Sequence, residues 1–305
     1  MSDKPVITVV GAYCVDIFFR SERFPSFGET LIADMFHFGP GGKGANQAVG
    51  VARSGGQCHF VGMIGDDPFA PMALKLFEEE GVGTRYLGQS KTKGTAVGLA
   101  LVNQAGENSC LLDMMANELV DADWLDQAEE QIARSDLLLT SMEIPISGVI
   151  RSLELARKHK VRTILNPAPA VPLSPDQLKL ADVLTPNESE LRILNGLEPD
   201  ACVNDLELAT GLQDKGAHTI VLTRGADGAL LLQDGEWTEI PSQKVDAIDT
   251  TGAGDAFNAT LAVALAEGQE LCPAIELANS AGAYACTKVG CVPGLAHRHE
   301  LKANT

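Results

Sequence analysis

Short apolar runs and longer amphipathic stretches alternate along most of the chain. Mainly apolar runs of this length predict buried strands, and they lie at residues 6–10, 136–142, 161–165, 182–184, 219–223 and 229–232. Helical spacing of apolar residues occurs at 45–53, 121–134, 148–159, 188–194, 204–215, 256–267 and 273–287. Strands that alternate with helices are typical of α/β proteins. The sequence therefore predicts a doubly wound, mainly parallel sheet flanked by helices.

Two segments break this alternation. Residues 30–38 mix apolar and polar positions in a strand-like pattern, and residues 95–113 predict two strands around the turn Gln104-Ala-Gly-Glu107. Neither segment is followed by a crossover helix, which a parallel strand requires. We therefore expect a small β-sheet lid over the strand ends, formed by segments at about 14–40 and 92–115, within a single domain spanning residues 1–305.

The composition limits the kinds of molecule that the protein is expected to bind. The 305 residues are 45% hydrophobic and carry a formal net charge of −18. This acidity repels nucleic acid and anionic membrane surfaces, so we expect neither as a partner. No run approaches the ~18 apolar residues of a membrane span, and the first ten residues lack a signal-peptide pattern. Seven cysteines without a Cys-x-x-Cys pair indicate reduced thiols, and we expect a cytoplasmic protein.

A glycine-interrupted turn, Asp249-Thr-Thr-Gly-Ala-Gly-Asp-Ala-Phe-Asn258, leads directly into a predicted helix. The amides of Gly252, Ala253 and Gly254 at a helix start are suited to binding an anion. Asp255 beside such a site is suited to taking a proton from a hydroxyl that attacks phosphorus. The alternative is an ordinary loop in which Asp255 only caps the helix. A second glycine motif favours the phosphoryl-transfer interpretation.

That second motif is Gly39-Pro-Gly-Gly-Lys-Gly-Ala-Asn-Gln47, which also precedes a predicted helix. It matches neither the P-loop nor the Gly-x-Gly-x-x-Gly pattern. Gly42 allows close approach of a polyhydroxy ligand, Lys43 can offset phosphate charge, and Asn46 can donate to and accept from hydroxyls. A purely structural turn and helix is the alternative.

Polar residues follow several predicted strands, so the carboxyl edge of the sheet is predicted to be a polar site. Asp16 lies just beyond the first strand, and Glu143 follows the strand at 136–142. Asn187 and Glu190 lie three apart at a helix start. They can cap that helix, or they can orient a hydrated Mg²⁺ near phosphates.

Three segments together resemble the ribokinase-like family of carbohydrate kinases. They are the early Gly-Gly-Lys-Gly-Ala-Asn-Gln, the middle Thr-Pro-Asn-Glu-Ser-Glu at 185–190 and the late glycine turn, and the similarity covers roughly residues 5–293. The resemblance implies Asp255 as the base and the amides of 252–254 as the anion hole. It also implies a sugar site formed by Asp16, Cys14, Gly42, Lys43, Asn46 and Glu143.

The same resemblance implies sites for ATP and two kinds of metal ion. Residues near ATP are Asn187, Thr223, Arg224, Gly225, Gly228 and Asn279, and Glu190 is implied to orient Mg²⁺ through water. A monovalent-cation site for K⁺ is implied next to the anion hole, at Asp249, Thr251, Ala285, Lys288 and Gly290. Relatives often place a serine near the end of that loop, where this chain has Gly294.

The hypothesis is an ATP-dependent sugar kinase acting on a primary hydroxyl, with ribose to ribose 5-phosphate as the best choice. Ribokinases are the most similar members, but they present Asn to the sugar where this chain has Cys14. Deoxyribose, a ketohexose or a nucleoside are alternative substrates. A sugar sensor without turnover and a nicotinamide-dependent dehydrogenase are rival functions, the second weakened by the missing dinucleotide fingerprint. The apolar lid segment 31–38 also predicts a homodimer through the lid.

Overall fold

The computed structural model describes residues 4–105 and 107–301. Its strands are β1 (Val6–Val10), β2 (Cys14–Ser21), β3 (Met35–Gly41), β4 (Gln57–Gly65), β5 (Gly83–Ser90), β6 (Ala96–Asn103), β7 (Asn108–Asp113), β8 (Leu137–Ser141), β9 (Arg162–Asn166), β10 (Val183–Leu184), β11 (Thr219–Thr223), β12 (Ala229–Gln233) and β13 (Glu236–Ile240). Its helices are α1 (Lys43–Arg53), α2 (Ala70–Glu79), α3 (Ala122–Gln127), α4 (Glu129–Ala133), α5 (Ile146–His159), α6 (Pro175–Leu178), α7 (Glu188–Leu194), α8 (Asp205–Lys215), α9 (Ala253–Ala266), α10 (Leu271–Ala285) and α11 (Cys291–Gly294). Short 3₁₀ turns cover Met115–Leu119, Gly225–Asp227 and Arg298–Glu300.

Nine strands form a large sheet in the order β13-β12-β11-β10-β9-β8-β1-β4-β5. The strands from β11 to β5 run parallel, which confirms the predicted doubly wound sheet. β12 and β13 are antiparallel to their neighbours. The connection from β11 to β12 spans only residues 224–228, and a turn this short cannot carry a parallel crossover. The sequence did not predict β4, α2 and β5, which form the far side of the sheet.

Helices cover both faces of this sheet, and β8 illustrates why. Leu137 and Leu139 face the cluster that contains α1, α9 and α10, whereas Leu138 faces the cluster that contains α3 to α8. Successive side chains of a strand point to opposite faces, so a strand buried on both sides must be apolar throughout. No helix within the described residues is long and apolar enough to cross a membrane.

A separate four-stranded sheet has the order β3-β2-β6-β7. β2 pairs antiparallel with β3 and parallel with β6, and β6 pairs antiparallel with β7. The strand expected at 30–38 begins only at Met35 and continues to Gly41, and the sequence did not predict β2. The two strands expected within 95–113 are confirmed as β6 and β7. Gly106 of their predicted turn lies outside the described residues.

The small sheet is tied to the large one at Tyr13. β1 and β2 are separated only by residues 11–13, all buried. The Asn117 side chain, which follows β7, donates to the Tyr13 carbonyl at 2.8 Å and accepts from the Tyr13 amide at 3.2 Å. A buried amide that satisfies both backbone groups fixes the two connections to each other.

Glycines bring α1 and α9 to the carboxyl end of β1. A Cβ at Gly11 would lie 2.8 Å from the Cα of Gly44, so α1 begins in direct contact with the end of β1. A Cβ at Gly50 would lie 2.6 Å from the Cβ of Ala259, so the Ala259 methyl group of α9 packs directly against the backbone of α1. The starts of both helices therefore converge at one edge of the sheet.

Candidate active site

The Asp255 carboxylate lies where α1 and α9 converge. The helix starts earlier than predicted, at Ala253, so Asp255 belongs to its first turn and is 5% exposed. The amides of two consecutive α1 residues hold its oxygens: Asn46 Nδ2 donates to Oδ2 at 2.9 Å, and Gln47 Nε2 donates to Oδ1 at 3.2 Å. This explains how a buried carboxylate is accommodated without a full ion pair.

One ammonium group, that of Lys43, offsets part of the negative charge around Asp255. Burial raises the pKa of Asp255, and the neighbouring Lys43 ammonium and the amide donors of Asn46 and Gln47 oppose that rise. In turn, Asp255 raises the pKa of Lys43, with smaller contributions from Glu143 and Glu190. A desolvated carboxylate with a raised pKa is a better proton acceptor than one in water. The site therefore contains a base suited to deprotonating a hydroxyl.

Backbone amides at the start of α9 face the same space. Gly252, in the left-handed conformation with φ 79°, precedes the helix. Within residues 4–105 and 107–301, the amides of Gly252 and Gly254 have no hydrogen-bond partner, whereas the amide of Ala253 donates to the Thr250 carbonyl at 3.3 Å. Free amides at the positive end of a helix dipole favour an anion.

The Asp16 carboxylate faces this space from the small sheet. Cys14 Sγ donates to Asp16 Oδ1 at 3.1 Å. Asp16 lies opposite Gly39 and Gly98, and a Cβ at Gly41 would overlap its carboxylate, so three glycines leave room for it. The Asp16 residue is exposed, yet partial desolvation by the surrounding protein raises its pKa. The hydrogen bond from Cys14 opposes this rise, and the Asp255 carboxylate increases it. Burial also raises the pKa of the Cys14 thiol, which keeps it a donor.

Glu143 lies beside the start of α1. Its Oε2 accepts from the Lys43 amide at 2.7 Å. Burial raises the pKa of Glu143 to about 7, Lys43 opposes the rise, and Asp255 contributes to it. Gly42, which precedes Lys43, has φ 88°, and a Cβ there would lie 2.8 Å from the Ala12 carbonyl oxygen. The early glycine motif thus turns at Gly42 to place both the amide and the ammonium of Lys43 in the site.

Asn187 and Glu190 form a reciprocal cap at the start of α7. The Asn187 side chain accepts from the Glu190 amide, and Glu190 Oε2 accepts from the Asn187 amide, both at 2.8 Å. The second Glu190 oxygen accepts no hydrogen bond from the described residues. Burial raises the pKa of Glu190, and Lys43 opposes this. A carboxylate fixed through one oxygen and open at the other fits a water ligand of Mg²⁺.

The loop after β11 lies next to this cap. Asn187 bridges to Thr223, whose amide donates to the Pro186 carbonyl at 2.9 Å. Gly225 and Gly228 have φ of 53° and 86°, and the Arg224 amide donates to the Gly228 carbonyl at 2.8 Å. These contacts make a tight backbone turn that presents amide groups rather than side chains.

Two predicted nucleotide residues contact β13 instead of the Asp255 group. The Arg224 guanidinium lies 3.8 Å from Glu239, and Asn279 Nδ2 donates to the Ile240 carbonyl at 3.0 Å. The Asn279 Oδ1 has no partner among the described residues, so it is the atom open to a ligand.

The two predicted cation-binding segments meet in space. Asp249 accepts from the amides of Thr251 and Gly290, both at 2.9 Å. Partial burial alone would raise the pKa of Asp249, but these hydrogen bonds outweigh it and lower the pKa. The Ala285 carbonyl accepts from the Lys288 amide at 3.2 Å, and the Lys288 ammonium lies over the Tyr284 ring. The Asp249 carboxylate and the loop at 285–290 therefore contact each other beside the turn that leads into α9.

Several buried amides of the site were not predicted individually. Gln47 links Asp255 to Asn166 Oδ1 at 3.1 Å. Asn258 donates to the Gly254 carbonyl at 2.8 Å and accepts from the Thr185 hydroxyl at 2.6 Å. Gln47 and Asn258 end the two glycine motifs, so their position in sequence was the available signal. These contacts fix the direction of the α9 start.

Replacing Glu143 by Gln should stabilise the protein near pH 8. The pKa of Glu143 is raised in the folded state from 4.5 to about 7. This group therefore contributes its full stability below about pH 4.5. That contribution is lost as the pH rises through about 7, and the total loss in free energy of unfolding is up to about 3 kcal/mol. Gln keeps an acceptor for the Lys43 amide and does not ionise. Urea unfolding should give the variant a higher free energy of unfolding than the wild type near pH 8, and the difference should be much smaller near pH 5. An equal difference at both pH values would contradict this.

Comparison with known proteins agrees with this geometry. The model of the "pfkB family carbohydrate kinase" matches residues 4–298. A ribokinase from Haemophilus influenzae is 36% identical over 297 residues, covering 97% of each chain. A deoxyribokinase from Salmonella typhi is 35% identical, covering 82% of each. An Arabidopsis thaliana ribokinase structure, complexed with ribose and ATP, has a TM-score of 0.89 at 28% identity, covering 97% of this chain and 96% of its own. With its two glycine motifs meeting at one buried carboxylate and residues 4–298 matched, the chain belongs to the pfkB family of carbohydrate kinases.

Proposed function

We propose that this sugar kinase transfers the γ-phosphate of ATP to the primary hydroxyl of ribose, giving ribose 5-phosphate. The observation that carries the proposal is the buried Asp255 carboxylate, which lies beside free amides of the α9 start and opposite hydroxyl-binding side chains. Ribokinases related over nearly the whole chain support ribose.

In the proposed reaction, Asp255 accepts the proton of the sugar hydroxyl as its oxygen attacks the γ-phosphorus. The bond from phosphorus to the ADP oxygen breaks, and ADP leaves with that electron pair. The amides of Gly252 and Gly254 and the Lys43 ammonium stabilise the charge on the transferred group. The Ala253 amide joins them only if it leaves Thr250. Positioning supplies most of the rate, because little covalent chemistry falls to the protein.

The sugar is proposed to lie between the small sheet and the start of α1. Asp16 is the acceptor for sugar hydroxyls, and Asn46 has both a donor and an acceptor to offer. Cys14, Gly42, Lys43 and Glu143 complete the pocket. Deoxyribose remains the second candidate, because a deoxyribokinase matches at 35% identity and because the Cys14 thiol bonds hydroxyls only weakly.

ATP is proposed to bind along the edge formed by Asn187, the turn from Thr223 to Gly228, and Asn279. Glu190 would hold Mg²⁺ through a water molecule, and the ion would neutralise phosphate charge beside several carboxylates. The four-stranded sheet is the proposed lid of a single domain.

Asp255→Asn should lower kcat by at least ~10²–10⁴-fold, the usual contribution of a general base. The substitution keeps the side-chain shape and removes the proton acceptor. An ATP-consumption assay over a panel of ribose, deoxyribose, fructose and nucleosides measures this and identifies the substrate. ATP binding by calorimetry is the control and should be roughly unchanged. A fall of less than about tenfold would remove Asp255 from the mechanism, and no turnover of any sugar by the wild type would favour a sugar sensor.

Cys14→Asn should raise kcat/KM for ribose relative to the other sugars by several-fold. A hydrogen bond to a hydroxyl contributes on the order of 0.5–1.5 kcal/mol, and an amide supplies one where the thiol does not. Cys14→Ser is the matched control, because it keeps a donor to Asp16 without adding an amide. An unchanged preference across the panel in the Asn variant would show that position 14 does not select the sugar.

K⁺ is proposed to bind behind the anion hole, at Asp249 and the carbonyls of Thr251, Ala285, Lys288 and Gly290. We expect K⁺ to raise activity over Na⁺ or a bulky organic cation at millimolar concentration. Gly294→Ser should lower the K⁺ concentration for half-activation, because it adds an oxygen. Gly294→Ala is the control, since either Cβ lies 3.1 Å from the Ala285 carbonyl oxygen. Equal activity in K⁺-free buffer would exclude the site.

A homodimer through the small sheet is proposed from its uncovered apolar face. Phe38, Ile17, Leu99 and Leu111 lie opposite one another across four strands, and Phe36 lies opposite Phe19 in the next row. Phe36, Phe38 and Leu111 are 56%, 48% and 71% exposed. Apolar surface of this extent is usually covered by a partner. Light scattering at micromolar concentration should give twice the 32.2 kDa chain mass, and a monomeric mass would contradict this.

A cytoplasmic location is proposed from the cysteines, all seven of which are free thiols. Free thiols persist in reducing compartments. Cell fractionation tests the location, and recovery outside the cytoplasm would contradict it.

A further inference from the structure

A second cleft lies at the opposite edge of the large sheet, at the amino ends of β9 and β11. Its volume is about 540 Å³. Arg162 begins β9 in this cleft, whereas Asn166 at the other end of β9 contacts Gln47 of the active site. The two residues are four positions apart in an extended strand, so about 13 Å separates them. The cleft is therefore distinct from the kinase site.

Basic side chains from four parts of the chain line this cleft. They are Arg157 of α5, Lys160 after it, Arg162 of β9, Lys179 after α6 and His218 before β11. Asp182 is the acidic residue of the lining, and its Oδ2 already accepts from the amide and the hydroxyl of Thr163, at 2.8 and 2.9 Å. Positive charge is thus concentrated here in a chain of net charge −18.

The two arginines of this cleft differ from the other arginines of the chain in their ion pairing. The chain has eleven arginines, and nine lie within 4 Å of a carboxylate. Arg157 and Arg162 are the two with no carboxylate partner among the described residues, and both line the cleft. Arg157 donates instead to the Lys179 carbonyl at 3.0 Å. In a chain with 41 acidic residues, two guanidinium groups that line one cleft without a carboxylate partner among the described residues require an explanation.

A helix dipole does not supply that explanation. Basic residues often lie at the C-terminal end of a helix, and α5 ends with Arg157, Lys158 and His159. Lys158 and His159, however, pair with Glu129, each at 2.6 Å. Arg162 and His218 line the same cleft from other elements, so the α5 dipole does not account for their position.

We propose that this cleft binds a small molecule that carries a phosphate or diphosphate group. Guanidinium groups match phosphate oxygens through paired N–H donors, and unpaired ones are free to do so. A concave cleft of this size suits a metabolite. The strong acidity of the whole chain opposes a long polyanion such as nucleic acid.

A neighbouring hollow accommodates the rest of such a ligand. It has a volume of about 330 Å³, shares Arg162, Gln233 and Leu271 with the cleft, and extends to Gln269 and Glu270 after α9. Its lining is polar but offers Glu270 rather than further cations, so it suits an uncharged hydroxyl-bearing or amide-bearing part. The phosphate belongs beside Arg157 and Arg162.

Protection of lysines in the wild-type protein tests the proposal without a substitution. Inorganic pyrophosphate is the probe, and acetylation of lysine is followed by mass spectrometry. Pyrophosphate should slow acetylation of Lys160, which lines the cleft, more than that of Lys158, which is paired with Glu129 on the same helix end. Chloride at equal ionic strength should not reproduce this difference. Equal protection of both lysines, or the same effect from chloride, would overturn the proposal.

Calorimetry with pyrophosphate provides the second test. The Arg157→Ala/Arg162→Ala double variant should lose one binding equivalent or bind it at least about tenfold more weakly. Arg151→Ala is the matched control, since Arg151 lies on the same helix but pairs with Asp126 and Glu154. Sugar phosphorylation by the double variant reports that it is folded. Identical isotherms for the wild type and the folded double variant would overturn the proposal.

Discussion

Burial of the Asp255 carboxylate is the constraint on which the rest of the site depends. A desolvated carboxylate is costly unless donors reach it, and here two neighbouring amides of α1 do so. They can reach it because α1 and α9 pack closely, with the Ala259 methyl group against the Gly50 backbone. Gly50, three residues after the early glycine motif, thus serves helix packing.

The charge balance of the cleft explains why a phosphate substrate would need metal ions. Lys43 faces Asp255, Glu143 and Glu190, and Asp16 adds a fourth carboxyl group across the cleft. An anionic nucleotide entering this space meets excess negative charge. A divalent cation that accompanies its phosphates reverses the sign of that interaction.

The main sheet could be predicted, and the two glycine motifs could be identified, because both depend on local patterns of residues. It missed β4, α2 and β5, since a strand such as Gln57–Gly65 contains His and Gly positions that interrupt its apolar run. The antiparallel direction of β12 follows from the short connection at 224–228, which the apolar periodicity of the two strands does not encode. The contact of Gln47 with Asp255 joins residues 208 positions apart, and the basic cleft gathers side chains from separate elements. Such sites exist only in the folded chain.

The Asn117 side chain holds Tyr13 through two hydrogen bonds, which we call the clasp. If the small sheet rotated about the clasp, each of its residues would move in proportion to its distance from it. Both hydrogen bonds of this clasp hold backbone atoms at the base of β2, at the end of the strand that adjoins β1. β2 has eight residues and is about 26 Å long, so a rotation of about 10° at the clasp displaces its tip by about 4 Å. Asp16, three residues from Tyr13 and about 10 Å from the pivot, would move by about 1.7 Å. Such a rotation would therefore move the tip of the sheet more than twice as far as the Asp16 carboxylate.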